Sequence, residues 1–316
     1  MKGLVYKSTG SWYTVRSESG AFYPCRIKGK FRIDGIKSTN PIAVGDRVEF
    51  SIETSDQETT GLIEKIEARD NYIIRKSVNL SKQTHIIASN IDHAFLLVTP
   101  TNPVTTTSFI DRFLVTAAAY HIDCVLLFNK SDAYDQESLD HAKYLAGLYR
   151  SIGYRCVGIS AKTGKNLDQV KTLMKNKTSV FSGHSGVGKS TLINALAPDL
   201  DLRTAEISQQ HAQGQHTTTF AEMFDLPFSG RIIDTPGIKG FGIVDVSSSE
   251  LGAYFPEFFA LQDQCKFNNC QHIKEPNCAI KAHLDSGELA WSRYQSYCQI
   301  HSGEDSQYRK DIFHQS

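Results

Sequence analysis

Four short motifs in this 316-residue chain carry residue types suited to gripping a nucleotide. Gly183, His184, Ser185, Gly186, Val187, Gly188, Lys189 and Ser190 spell G-x-x-x-x-G-K-[ST], with apolar TSVFS before and TLINALA, from Thr191, after. In a strand–loop–helix setting such glycines let backbone N–H groups turn inward around phosphate oxygens, and the helix N-terminus favours negative charge. Lys189 suits the β- and γ-phosphates, and the Ser190 hydroxyl suits Mg²⁺. The stretch IIDTPG adds Asp234 at a strand end, placed to hold Mg²⁺ through water, and a Gly237 amide to face the γ-phosphate.

Two further motifs concern the base. NKSD supplies Asn129, Lys130 and Asp132. A carboxylate there accepts hydrogen bonds from guanine N1–H and the 2-amino group, which adenine cannot offer, so an ATP-binding reading is disfavoured. SAKTG supplies Ser160, Ala161 and Lys162, with the Ala161 amide near the guanine oxygen. Each tetrapeptide alone could be a surface turn; all four, each ending an apolar strand, point to a guanine nucleotide. Their order is unusual, since the base-reading pair precedes the phosphate-binding pair. A pocket depends on which strand ends meet in space, so a circular permutation of the chain accounts for the order.

Cys265, Cys270, His272 and Cys278 place three thiols and one imidazole within fourteen residues. That is a closed Cys₃His set suited to one structural Zn²⁺, against the alternative of free thiols in a loop. Cys298 lies too far along to be needed. Cys25, Cys124 and Cys156 sit in strand-like runs, where a buried free thiol is expected.

The elements that must position these groups fall into three stretches. Residues 1–70 read as five short strands broken by turn clusters, which suits a small barrel of the oligonucleotide-binding (OB) type. Residues 71–246 alternate compact apolar strands with helical segments such as SFIDRFLVTAAAYH and LDQVKTLMK, implying an α/β domain with a parallel sheet covered on both faces. Residues 247–316 read as short helical pieces around the Cys/His cluster, a mostly α zinc-binding domain. Lys+Arg and Asp+Glu both number 34, so bulk charge predicts no polyanion partner. Residues 1–50, however, hold nine Lys/Arg against four Asp/Glu. In CRIKGKFRID, Arg26, Lys28, Lys30 and Arg32 recur at every second position, on one face of a strand, where they could meet RNA phosphate or simply solvent. Trp12, Tyr13, Phe22 and Tyr23 are candidates for base stacking or for the core, and Arg293, Tyr294 and Tyr297 for a further RNA or ribosome contact. No apolar run is long enough for a membrane span, no secretory leader is evident and the cysteines read as free thiols or metal ligands, so a reducing cytoplasm is expected; a monomer is expected as well.

The order NKSD, SAKTG, GHSGVGKSTLIN, GQHTTT, DTPG, followed by CKFNNCQHIKEPNCAIK and RYQSY, resembles the RsgA/YjeQ family of circularly permuted GTPases of small ribosomal subunit biogenesis. The resemblance extends over nearly the whole chain, in the barrel more by pattern than by residue. It implies a multi-domain protein: an OB-fold barrel, a permuted P-loop GTPase domain and a C-terminal zinc domain. It also implies GTP hydrolysis stimulated by the 30S subunit, with 16S rRNA as partner and a role in late maturation. Many GTPases place a water-orienting Gln directly after DxxG; here Ile238 stands there, as in the family. The resemblance then makes Thr218 or Thr219, within Thr217–Thr219, the switch ligand to Mg²⁺, and His216 the candidate for positioning water. His184 stands where the family often has Gln. The missing Gln leaves a second possibility open, a non-catalytic GTP/GDP-dependent RNA-binding module.

Overall fold

A computed structural model describes residues 1–27, 41–54, 59–76, 84–198, 200, 221–234 and 246–303. The first five strands, β1 (Lys2–Ser8), β2 (Tyr13–Ser17), β3 (Phe22–Ile27), β4 (Arg47–Thr54) and β5 (Thr59–Ile66), run β1-β2-β3-β5-β4, and β4 pairs back onto β1 to close a barrel. Alternate residues point inward, as a strand period of two requires: Tyr13 and Val15 from β2, Val48 and Phe50 from β4, with Val5, Cys25, Ile42 and Ile63. The β3–β5 contact is tight enough to need Gly61, because a Cβ there would lie 2.3 Å from Cys25 Sγ.

A two-stranded hairpin, β6 (Tyr72–Lys76) with β7 (Thr84–Ser89), follows. Sequence analysis did not anticipate it. Buried Asp46 ties it to the barrel, accepting Arg69 Nε and Nη2, each at 2.6 Å, and Ser89 Oγ at 2.6 Å. A bidentate, hydrogen-bonded pair of this kind meets the condition under which a buried charge is tolerated.

The central sheet has the spatial order β10 (Arg155–Gly158), β9 (Asp123–Phe128), β8 (His93–Val98), β11 (Thr178–Ser182), β13 (Arg231–Asp234), β12 (Glu222–Asp225). All neighbours are parallel except β12, which runs antiparallel to β13. Strand β8 is buried at every residue because both its faces are covered. Ala94, Leu96 and Val98 face helices α1 (Thr107–Ala119) and α2 (Gln136–Ser151). Phe95 and Leu97 face α3 (Leu167–Met174) and α4 (Lys189–Leu196). Helix α1 shows why such segments are helical: Ile110, Phe113, Leu114 and Ala117 repeat at i, i+3, i+4, i+7 toward the sheet, and the Thr106 hydroxyl caps the Phe109 N–H at 3.3 Å. Burial of Ile110, Phe113 and Leu114 contributes about 1.5–3 kcal/mol each.

The barrel joins the sheet edge through β1 and β12, where Lys7 pairs with Glu222 at 2.8 Å and Asp225 accepts Tyr6 Oη at 2.7 Å and Arg16 at 2.5 Å. The C-terminal part has two 3₁₀ turns, one helical turn at Pro256–Phe259, and helices Ala279–Asp285 and Trp291–Ser302. Its apolar residues Leu251, Phe255, Phe258, Ile280 and Tyr297 form a separate cluster that also includes Val115 of α1.

Candidate nucleotide site and metal centre

Strands β9, β10, β11 and β13 are parallel, so their carboxyl ends lie on one edge of the sheet, and the NKSD, SAKTG and GHSGVGKS motifs and Asp234 stand at those ends. Crevices outside the carboxyl ends are where open α/β sheets bind ligands. The chain order is β9, β10, β11, β13, whereas in space β11 is central, with the base-reading strands beyond β8 on one side and β13 on the other. The permutation leaves the pocket intact because hydrogen bonding, not chain order, sets adjacency.

One side chain holds three of the loops together. Asn129 is 1 % exposed; its Nδ2 donates to Val187 O at 2.9 Å, and its Oδ1 accepts Ala161 N at 3.0 Å. The partners lie 58 and 32 residues away in sequence. Gly188 is required beside it, with φ +100° and room for no Cβ: an added one would stand 2.4 Å from Asn129 Nδ2. Tyr134 Oη donates to the Asn129 carbonyl, fixing the same loop from below.

The Asp132 carboxylate is also pre-set. Ser160 Oγ donates to Asp132 Oδ1 at 2.5 Å and accepts Thr163 N at 3.1 Å. That hydroxyl bond first, then backbone and nearby lysines, hold the Asp132 carboxyl below its ordinary value, so it is an acceptor at neutral pH. Asp132 is exposed. Lys130 has φ +67° and donates from Nζ to Asn102 O at 2.7 Å. Lys162 is exposed at the outer edge of the SAKTG turn.

In the phosphate loop, positive φ at Gly183, Gly186 and Gly188 curls the backbone into a nest. Lys189 Nζ donates to Gly183 O at 2.5 Å and His184 O at 2.8 Å, which places the ammonium over that nest. Val187 is buried, Ser185 and Gly186 are exposed, and Ser190 and Thr191 open α4. The His184 ring lies against Phe109 of α1, centroids 3.8 Å apart, and burial followed by the charge of Lys189 lowers its pKa. Asp234 ends β13 on the same edge of the sheet. His216, Thr217, Thr218, Thr219, Gly237 and Ile238 lie outside the described residues.

Cys265, Cys270, His272 and Cys278 present ligand atoms that all lie within 4.8 Å of one another. His272 Nδ1 stands 3.4 Å from Cys278 Sγ and 3.7 Å from Cys265 Sγ. Four ligands at zinc bond lengths form a tetrahedron with edges of about 3.8 Å or a little less, so the cluster fits structural Zn²⁺. Burial, then the neighbouring thiols, push the Cys270 thiol up to about 12, so ionised sulfur at this density calls for a cation. Tyr294 Oη donates to His272 O at 2.8 Å and Tyr297 Oη to Gln271 O at 2.7 Å, holding the ligand loop against the last helix.

That geometry corrects one expectation. Arg293 and Tyr297 are each 1 % exposed and cannot meet RNA. Arg293 instead pairs with Asp111 of α1 at 2.5 Å and with Glu257 at 2.7 Å, and its guanidinium lies 4.5 Å over the Phe255 ring. A tail arginine looks solvated in sequence, but its acidic partners are 182 and 36 residues away. On the barrel, Tyr13 belongs to the core and Tyr23 packs against it, whereas Phe22 is exposed and Arg26 lies 3.9 Å over the Trp12 ring. Lys28, Lys30 and Arg32 lie outside the described residues. Sequence reasoning also missed Asn102, Tyr134 and Phe109 as supports of the pocket; the one signal for Phe109 was its place three residues after a capping threonine.

A parallel sheet with a phosphate loop at its centre, base-reading loops on the strands beyond β8 and an OB-like barrel at its edge defines a circularly permuted GTPase. Comparison with known proteins agrees. The family described as RsgA GTPase matches residues 66–244, and the RsgA N-terminal domain matches residues 2–63. The chain is 68 % identical to the small ribosomal subunit biogenesis GTPase RsgA of Christiangramia forsetii, over 99 % of both chains. It is 63 % identical to the protein of that name from Flavobacterium johnsoniae, over 99 % of this chain and 96 % of the relative. Among solved structures, YjeQ from Thermotoga maritima superposes with a TM-score of 0.78 at 36 % identity, covering 95 % of this chain and 97 % of that one. YloQ, described as a circularly permuted GTPase, gives 0.75 at 30 % identity, covering 97 % and 95 %. The chain belongs to the RsgA GTPase family.

Proposed function

We propose that this protein is a GTP phosphohydrolase that binds the small ribosomal subunit and couples hydrolysis to a late step of its maturation, the subunit accelerating turnover. The observation that carries the reading is the buried Asn129, which fastens the base-reading loops to the phosphate loop in one pocket. In that pocket Asp132 accepts from guanine N1–H and the 2-amino group; the Ala161 N–H, expected from the sequence near the guanine oxygen, is instead committed to Asn129 Oδ1 at 3.0 Å. Gly183–Gly188 cradles the phosphates and Lys189 neutralises them. Ser190 and, through water, Asp234 would hold Mg²⁺, which would offset charge on the phosphate tail. Thr218 or Thr219 would supply a further ligand to Mg²⁺, and His216 would position the attacking water. Zn²⁺ on the Cys₃His set braces a segment with a small apolar core of its own.

Arg26 with Lys28, Lys30 and Arg32 supplies the contact of the barrel to 16S rRNA. The domains divide as 1–70, 71–246 and 247–316, and the protein acts as a cytoplasmic monomer away from membranes. Among the described residues no helix is long and apolar enough to cross one. The decisive experiment is phosphate release from GTP with and without 30S particles. Slow intrinsic turnover, raised tenfold or more by subunits (an order-of-magnitude expectation for a catalytic group completed by a partner, about 10³-fold or more in the best cases), is the expected result. No phosphate release in either arm would instead favour a GTP-dependent RNA-binding module without catalysis, the reading that Ile238 in place of Gln invites, and equal measurable rates would overturn the acceleration by the subunit.

A further inference from the structure

Helix α1 touches both the phosphate loop and the C-terminal domain. At its first turn Phe109 stacks on the imidazole of His184, with ring centroids 3.8 Å apart and planes 31° from parallel. The His184 carbonyl, in turn, is one of the two acceptors that seat Lys189 Nζ. Just before the helix, the Asn102 carbonyl accepts Lys130 Nζ at 2.7 Å, so this segment supports the base-reading loop too. Two residues beyond Phe109, buried Asp111 takes the Arg293 guanidinium at 2.5 Å and the Tyr149 hydroxyl at 2.7 Å. Ser108 donates to Gln299 at 2.7 Å, and Val115 is buried among Leu251, Phe255, Phe258 and Tyr297. The sheet-facing stripe of α1 and this second stripe, Ser108–Asp111–Val115, are distinct, so the helix is clamped from two sides.

We propose that Phe109 is a positioning residue for the phosphate loop, acting through His184, and that the Asp111–Arg293 pair makes its placement depend on the zinc-bearing domain. The inference rests on the guanine-nucleotide reading of the pocket. The physical ground is stiffness. Asp111 lies two positions from Phe109 in one α-helix, at about 1.5 Å of rise per residue, so the two cannot move independently. Arg293 is further fixed by Glu257, whose carboxylate accepts Nε at 2.7 Å and Nη2 at 3.1 Å. A shift of the C-terminal domain therefore reaches the loop through the helix, and by thermodynamic reciprocity nucleotide occupancy reaches the C-terminal domain.

The test uses full-length, zinc-loaded protein and the dissociation rate of a fluorescent GDP analogue, measured by stopped flow. An aromatic pair of this geometry corresponds to roughly a two- to tenfold effect, so Phe109→Ala should speed GDP release by that factor. Phe109→Tyr, which keeps the ring, should restore the original rate. Arg293→Lys keeps the charge but loses the fork, and should speed release about twofold or more with zinc content unchanged. In the Phe109→Ala/Arg293→Lys double variant the two effects should fall short of adding, because both act on one contact. Unchanged release in Phe109→Ala overturns the positioning role; full additivity overturns the link to the C-terminal domain. Should Arg293→Lys fail to fold, hydrogen exchange of the wild-type protein decides the link. Added GDP should slow exchange in residues 107–119 and in 291–302, and a change confined to the first segment overturns it. Asp132→Asn serves as control. If it leaves the preference for GDP over ADP intact, the guanine reading itself fails; if it lowers that preference while Phe109→Ala does nothing, only this inference fails.

Discussion

The metal centre and the nucleotide pocket are built on opposite plans. Four zinc ligands come from one fourteen-residue run, and their convergence needs only local turns, among them positive φ at His272 and Asn277. The pocket draws on loops that leave four strands, and Asn129 alone spans 58 residues to Val187. A local site can be assembled by the ligand it binds, because the chain between ligands is short and the metal contributes the missing enthalpy. A distributed site has to be assembled beforehand, by sheet hydrogen bonds and two apolar cores, before any ligand is present. The two plans therefore fail differently when single groups are removed.

The largest effect is expected at the metal centre. Cys278→Ser should abolish stoichiometric zinc and, since metal sites of this kind contribute on the order of 10 kcal/mol, unfold the C-terminal segment. Limited proteolysis should then cut within 247–303 while the central sheet stays protected. Equal protection in both regions would erase the contrast drawn here. Next comes Lys189→Ala, which removes a charge-assisted contact to phosphate and should weaken GTP by roughly a hundredfold, read by calorimetry.

Asn129→Ala should weaken GTP by roughly ten- to a hundredfold and also destabilise the free protein, since it strands the Ala161 N–H and the Val187 carbonyl. A variant that binds poorly yet melts normally would mean that Asn129 reads the ligand more than it joins the loops. For Asp132, whose carboxyl is held below the usual range of about 4 by Ser160 first, the guanine preference should stay flat from about pH 8 to pH 5 and decline only under more acid conditions, as the carboxylate protonates. Competition of labelled GTP by ATP across that range measures it. The smallest effect belongs to the barrel surface. Arg26→Ala should weaken subunit binding a few-fold and lower the salt slope by about one.

Much of this was legible beforehand, for reasons that differ by region. The apolar runs before NKSD, SAKTG, GHSGVGKS and DTPG are strands because both faces of a parallel sheet are buried, and that burial leaves a continuous signature. The Cys₃His spacing was legible because its geometry is local. The β6–β7 hairpin was not, since Tyr72–Lys76 and Thr84–Ser89 are short runs fixed by distant segments, Ser89 through Asp46 and Ile73 and Ala88 through the sheet core. Arg293 misled for a related cause: a charge within RYQSY looks solvated until a distant Asp111 and Glu257 close on it. The aromatic support under His184 was equally hidden, because nothing in the phosphate loop announces a ring on a helix 75 residues earlier.

Residue types and spacing alone pointed to the ligand chemistry: glycines for a phosphate nest, a carboxylate for guanine, soft donors for zinc. Those properties belong to the side chains and to the turns between near neighbours. Tertiary structure decided which loops share a pocket, which arginine is an anchor and not a contact, and which helix links the two sites. Such choices depend on close approach between residues far apart in the chain, and close approach is fixed by burial and hydrogen-bond satisfaction over the whole fold.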